Sequence, residues 1–263
     1  MNRAVGGRPR PTPSPPNGAA GAIPPPAAPE PPAMDIRIFD SEDEIAREGA
    51  KYIAAAARQA IAARGVALLA FSGGGTPVPM FRALAREALA WHAVHVFQVD
   101  ERMVPAGDPD RNFAHLNEAL LAHVPLPAAH IHPMPVEDQD IEAAARHYEA
   151  ELAGLTGSTG ALDLVQLGIG ADGHTASLVP GDAVLEAADR AVAVTGPYQG
   201  HRRMTLTFPA LNAARARLWL VAGAGKEDAL RRLERGEHAI PAGRITRRDS
   251  LVLADRAAAG DRL

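Results

Sequence analysis

Cysteine is absent from the 263 residues, so no disulfide framework, thiolate nucleophile or sulfur-ligated metal can be built from this chain. Aromatic residues make up only 4%, and no basic run interleaves with them, which argues against a nucleic-acid surface. No apolar run approaches the roughly 18 residues of a membrane-spanning helix, and the N-terminus lacks the apolar core of about 7–15 residues that marks a signal peptide. The nucleotide-binding pattern G-x-x-x-x-G-K-[ST], the zinc-binding H-E-x-x-H and the nucleophile elbow G-x-S-x-G are all missing. The expectation is a cytoplasmic, unexported protein that acts on a small molecule, with no metal, cofactor, nucleic-acid or membrane partner. A monomer is expected, with a dimer as the alternative.

What the chain does contain is enough apolar material for a large core, 47% hydrophobic residues, and a near-balance of 31 acidic against 27 basic side chains. Residues 1–33 stand apart, because they hold nearly half of the 23 prolines and almost no large apolar side chain. They read as a solvated Pro/Ala-rich tail. Met34 opens "MDIRIFDSEDEI", where structured sequence begins, and is a candidate start of translation. From there to residue 263 apolar and polar runs alternate in a βα order, and one α/β domain is expected.

"EDEIAREGAKYIAAAARQAIAAR" before Gly65 predicts a long amphipathic helix. "VALLAF", "VHVFQV", "DLVQLGI", "AVAVT", "MTLTF", "RLWLVAG" and "SLVLA" read as short strands, and "PMFRALAREALA", "NFAHLNEALLAH", "IEAAARHYEAELAG" and "KEDALRRLERG" as helices. The near-continuous apolar strands suit a mostly parallel sheet covered on both faces. A three-layer, doubly wound fold follows, with ligands outside the carboxyl ends of the strands.

Three stretches at such ends carry chemistry. In "FSGGGTP", Gly73, Gly74 and Gly75 let backbone amides approach a ligand, Ser72 and Thr76 add hydroxyls, and Pro77 suits a first helical turn; the result is an anion cradle at a helix N-terminus. In "VHVFQVDERMVP", a strand runs straight into Asp100, Glu101 and Arg102, where an arginine oriented by carboxylates can hold an oxyanion. Asn112, in "GDPDRNF", reads as the cap of the next helix.

The third stretch, "LGIGADGHTASLVPG", spaces Gly168, Gly170 and Gly173 as a dinucleotide-binding loop does. That reading fails, since only "HTASLV" separates Gly173 from Pro180 and no long helix can follow. Instead, Asp172 and His174 lie two residues apart, a carboxylate beside a histidine suited to general base work. A Ser72–His174–Asp100 triad is arithmetically possible but has no elbow motif to support it. Lys226 in "GAGKEDAL" sits at a helix start, where a cation is disfavoured unless an anion joins it. Arg203, heading "RMTLTF", would complete a three-sided phosphate clamp.

Taken in order, "FSGGGTP", "VDERMVP" with "DPDRNF", "LGIGADGHTASLVPG", "RMTLTFPALNAA" and "VAGAGKEDAL" resemble the 6-phosphogluconolactonases, from about Asp35 to the C-terminus. The resemblance implies a fold shared with glucosamine-6-phosphate deaminases and, more distantly, ribose-5-phosphate isomerase. It implies metal-free hydrolysis of 6-phosphoglucono-δ-lactone in the oxidative pentose phosphate pathway. The loop Ser72–Thr76 with Arg203 and Lys226 would hold the sugar phosphate. His174 would be the base on water with Asp172 beside it, while Asp100 and Arg102 would fix the base or stabilise charge. The family often reads "SGGSTP", so Gly75 replaces a serine. Deaminases typically continue "DGHIAFNEP"; this chain reads "DGHTASLVP", without the glutamate, which favours the lactonase. A catalytically silent sugar-phosphate sensor is the other alternative.

Overall fold

A computed structural model describes Met1 and residues 34–157 and 160–260; the rest of the proline-rich segment lies outside the described residues. Strand β1 (Asp35–Phe39) leads into α1 (Glu42–Arg64). Ser41 starts that helix by accepting the Glu44 amide at 3.3 Å, and the Glu44 carboxylate reaches back to the Asp40 amide at 2.9 Å. Gly65, at φ 79°, closes it with a bond to the Ile61 carbonyl.

The other elements are β2 (Ala67–Phe71), α2 (Pro77–Leu84), β3 (Val94–Gln98), β4 (Asp100–Arg102), α3 (Asn112–Ala119), β5 (Ile131–His132), α4 (Ile141–Thr156) and β6 (Leu164–Leu167). Then come β7 (Val192–Val194), β8 (Arg203–Leu206), α5 (Phe208–Ala213), β9 (Ala216–Val221), α6 (Glu227–Arg235), β10 (Ser250–Asp255) and α7 (Arg256–Ala259). Helix α2 is shorter than its alanine-rich sequence suggests. Past Leu84 the amides of Arg86 and Glu87 turn back to Ala83 and Leu84, tightening the chain out of α-geometry.

Seven parallel strands form the central sheet in the order β1-β10-β9-β6-β2-β3-β5. Side chains alternate across it. Leu69 and Phe71 pack with α1, α2 and α3 on one face, whereas Leu68 and Ala70 pack with α4 and α6 on the other. This is the three-layer, mostly parallel architecture that the sequence implies. After β2 the chain winds outward to β3 and β5, and after β6, seated on the opposite side of β2, it winds the other way to β9 and β10. The loops that leave β2 and β6 therefore diverge, opening a crevice at the carboxyl end of the sheet.

Two readings of strands need correction. "VHVFQVDER" is not one strand running into a loop: β3 stops at Gln98, and Asp100–Arg102 forms β4 in a separate antiparallel sheet of order β4-β8-β7. Likewise β7 and β8, from "AVAVT" and "RMTLTF", belong to this small sheet and not to the parallel one. Val99 is the hinge, since its amide bonds the Phe71 carbonyl at 2.9 Å while its own carbonyl accepts the Leu206 amide at 2.8 Å.

At the far edge, His132 Nδ1 lies 2.6 Å from Glu151 Oε1 and its Nε2 lies 2.9 Å from His95 Nδ1. The carboxylate can only accept, so His132 donates to it through Nδ1 and accepts through Nε2 from His95 Nδ1. Burial, together with the neighbouring His130 and His132, holds the His95 pKa down to about 4. The neutral form is thus favoured by folding, and the stability it supports is complete above the unfolded value near pH 6.5 and is lost as pH falls toward 4. Between pH 7 and pH 5, wild type should lose about 1 kcal/mol more than His95→Gln in urea melts, after discounting for solvent screening. Equal losses would show that His95 is not the group that titrates.

Candidate functional site

The loop after β2 begins with Ser72, whose amide donates to the Gln166 side chain at 3.2 Å. Its hydroxyl is buried and has no hydrogen-bond partner. Gly73 has no substitute, because a Cβ there would lie 1.9 Å from Asn112 Oδ1. Gly74 holds φ +96°, whereas Gly75 has neither a positive φ nor a neighbour within 4 Å of an added Cβ. The serine common at that position in the lactonase pattern would fit there. Thr76 precedes Pro77 at the start of α2 without capping it through its side chain. Pro77 and Pro79 carry no N–H and the Val78 amide donates to the Gly75 carbonyl at 3.2 Å, so an anion here would be met by the loop before the helix and not by its first turn.

The loop after β6 folds back on itself through Gly170 N–H to the His174 carbonyl at 2.8 Å. This brings Asp172 under His174: Oδ1 accepts the His174 amide at 3.1 Å and lies 2.6 Å from Nδ1. Facing an acceptor, Nδ1 carries the proton, which leaves the Nε2 lone pair for the cleft. Burial opposes ionisation of Asp172. The His174 amide and imidazole, with the Tyr198 hydroxyl, outweigh it and hold the carboxyl below its ordinary range.

The small sheet supplies the third wall. In its register Arg102 lies directly opposite Arg203. Arg203 is only 5% exposed, yet its Nε has no partner, and neither has Nε of Arg102. Arg102 does donate through Nη1 to the Asp110 carbonyl at 2.6 Å. Burial lowers the Arg203 pKa, and Arg102 adds to this while Asp100 opposes it. Lys226 precedes α6 and reaches the same cleft, and no ion pair engages it among the described residues.

Ser72, Gly73, Gly74 and Thr76 line one cleft with Asp100, Arg102, His174, Arg203 and Lys226. Gly75 lies outside its wall, and Asp172 stands behind His174. Asp100 does not touch the imidazole; its Oδ2 accepts the Ser177 hydroxyl at 2.6 Å. The Ser72–His174–Asp100 triad is therefore not assembled. Glu101, grouped by sequence with the site charges, turns away and is fully buried. Its carboxylate accepts the amides of Asn112 and Phe113 at 2.9 and 2.8 Å. Glu101, rather than Asn112, thus caps α3, and Asn112 is the first helical residue with its side chain at the cleft. Gln166, Ser177 and Tyr198 escaped the sequence reading altogether. Among the described residues no group of three or more His, Asp or Glu is placed to hold a metal ion, and no helix is long and apolar enough to cross a membrane.

Residues 40–253 match the family model described as glucosamine-6-phosphate isomerases/6-phosphogluconolactonase. A 6-phosphogluconolactonase of Mycobacterium bovis is 38% identical over 241 residues, covering 86% of this chain and 98% of that protein. One from Synechocystis is 47% identical over 176 residues, 65% of this chain and 73% of its own. Among solved structures, the 6-phosphogluconolactonase of Thermotoga maritima superposes with a TM-score of 0.76 at 28% identity, over 84% of this chain and 98% of that one. A monomeric glucosamine-6-phosphate deaminase, 22% identical, shares the fold with a TM-score of 0.74 over 86% of this chain and 99% of its own. With the model spanning nearly the whole described fold, and both diverging loops inside it, the chain belongs to the glucosamine-6-phosphate isomerase and 6-phosphogluconolactonase family.

Proposed function

We propose that this protein hydrolyses 6-phosphoglucono-δ-lactone to 6-phosphogluconate, the step of the oxidative pentose phosphate pathway that opens the lactone ring. The observation that carries this reading is the His174–Asp172 pair, its free Nε2 turned to a cleft whose opposite wall holds unpaired cations. A phosphate dianion matches the amides of Gly73–Thr76 and the hydroxyls of Ser72 and Thr76, with Arg203 and Lys226 as counter-ions. The lactone carbonyl then lies toward His174. Nε2 takes a proton from water, the water oxygen bonds to the carbonyl carbon, and Arg102 balances the oxyanion. Collapse breaks the bond to the ring oxygen, which recovers a proton from the imidazolium and leaves as the C5 hydroxyl. Asp172 keeps the imidazole in the tautomer this sequence requires, and Asp100, tied to Ser177, sets the charge balance around the arginines.

No cofactor or metal enters this chemistry, and the proposed partner is the sugar-phosphate lactone alone, with no nucleic acid or membrane. Residues 34–263 act as one catalytic domain, working as a cytoplasmic monomer. Following the disappearance of lactone generated in situ, at mildly acidic pH where spontaneous opening is slow, tests the proposal. Acceleration by the protein is expected; no acceleration, with ammonia release from glucosamine 6-phosphate instead, would move it to the deaminase branch. Lys226→Ala should raise KM about tenfold with little change in kcat, as loss of one charge-assisted contact does. An unchanged KM would remove Lys226 from the clamp.

A further inference from the structure

The connection from β7 to β8 ends in a two-residue turn. Tyr198 and His201 exchange backbone hydrogen bonds of 2.9 and 3.2 Å across Gln199 and Gly200, both at positive φ, the geometry of a type I′ hairpin. The turn sets Tyr198 beside the His174–Asp172 pair. Its hydroxyl donates to Asp172 Oδ2 at 3.1 Å, and its ring stands edge-on to the His174 imidazole, centroids 5.5 Å apart. Arg203, at the base of the same hairpin, lies 5.1 Å over that ring.

Asp172 is therefore held at both oxygens, Oδ1 by the His174 amide and imidazole and Oδ2 by Tyr198. A carboxylate held only at Oδ1 can swing about its terminal torsion, which is broad and nearly two-fold. We infer that Tyr198 is a positioning residue: its hydroxyl locks the Asp172 carboxylate, which in turn aims Nε2 of His174 at the reacting carbonyl. This deepens the hydrolytic reading and rests on it. The charged groups around the pair are few. His174 and Tyr198 face Asp172; Asp172 and Arg203 face Tyr198; behind Arg203 stand Asp100, Arg102 and Asp110. His201, across the turn, reaches Asp110 Oδ2 at 3.4 Å.

Tyr198→Phe isolates the hydroxyl, because the ring and its contacts with His174 and Arg203 remain. Its kcat should fall about three- to tenfold, the usual worth of one ordinary hydrogen bond, with KM within about twofold of wild type. A carbon NMR titration of the Asp172 carboxyl should show its midpoint move to higher pH, since Asp172 loses a donor that favours its ionised form, and this readout needs no turnover. A merely structural role would lower thermal stability and leave that midpoint in place. Unchanged kcat and an unchanged carboxyl midpoint would overturn the inference. If wild type itself failed to open the lactone, the hydrolytic reading would fall, while the carboxyl titration would still decide whether Tyr198 holds Asp172.

Discussion

His174→Ala is expected to lower kcat by about 10²–10⁴, the contribution of a positioned general base, while leaving substrate affinity nearly intact. The split follows from the layout of the cleft. His174 contacts Asp172 and Tyr198, whereas the cations and amides assigned to phosphate come from the loop after β2, from β8 and from the start of α6. Removing the imidazole takes away the proton acceptor without touching that clamp. Lactone disappearance gives kcat, and competition by inorganic phosphate reports on the clamp separately. A variant with wild-type kcat would take the role of base away from His174. Proportional loss of phosphate competition would mean that the two halves of the cleft are not independent.

Gly170→Ala should inactivate nearly as well, though it removes no chemical group. A Cβ at this position would lie 2.1 Å from His174 Nδ1 and 2.5 Å from Asp172 Oδ1, inside the space that their hydrogen bond occupies. The φ of Gly170 is not positive, so alanine is compatible with the backbone, and the crowded atoms are the ends of two side chains that can turn aside. The fold should therefore survive while the pair parts. Displacement of a catalytic group by about 1 Å can cost around 10² in rate, and kcat should fall by that order with a nearly unchanged melting temperature. Activity within about threefold of wild type would show that the imidazole acts without Asp172 against Nδ1. A collapse in melting temperature would instead make Gly170 a folding residue.

Much of this site was legible because its parts are local. The two loops are runs of adjacent glycine and polar residues directly after apolar strands, and the topology then places those strands side by side. Helix α1 was equally plain, since its apolar residues fall at helical spacing and Gly65 marks its end by its own conformational need. The second sheet was hidden for a physical reason. Alternation of side chains tells a strand's faces but not its partner, and Val99, one more apolar residue in the run "VHVFQV", gives no sign that it bonds to both sheets. Tyr198 was hidden as well. It stands alone in "GPYQG", and glutamine in the left-handed region is not a recognisable turn residue. The capping role of Glu101 was hidden because a carboxylate that caps a helix from 11 residues away looks in sequence like any other acid near Arg102.

Arg102 and Arg203 face one another across the β4–β8 pair, an arrangement that like charges oppose. On the assignment proposed above, an entering phosphate relieves that repulsion, yet the phosphate is the same group before and after the ring opens. The clamp then cannot tell product from substrate. The difference arises at the other end, where a neutral ester becomes a carboxylate between Arg102, which attracts it, and the ionised Asp172, which repels it. Release of the product would then turn on the balance between these two charges, while the grip on phosphate stays constant through the cycle.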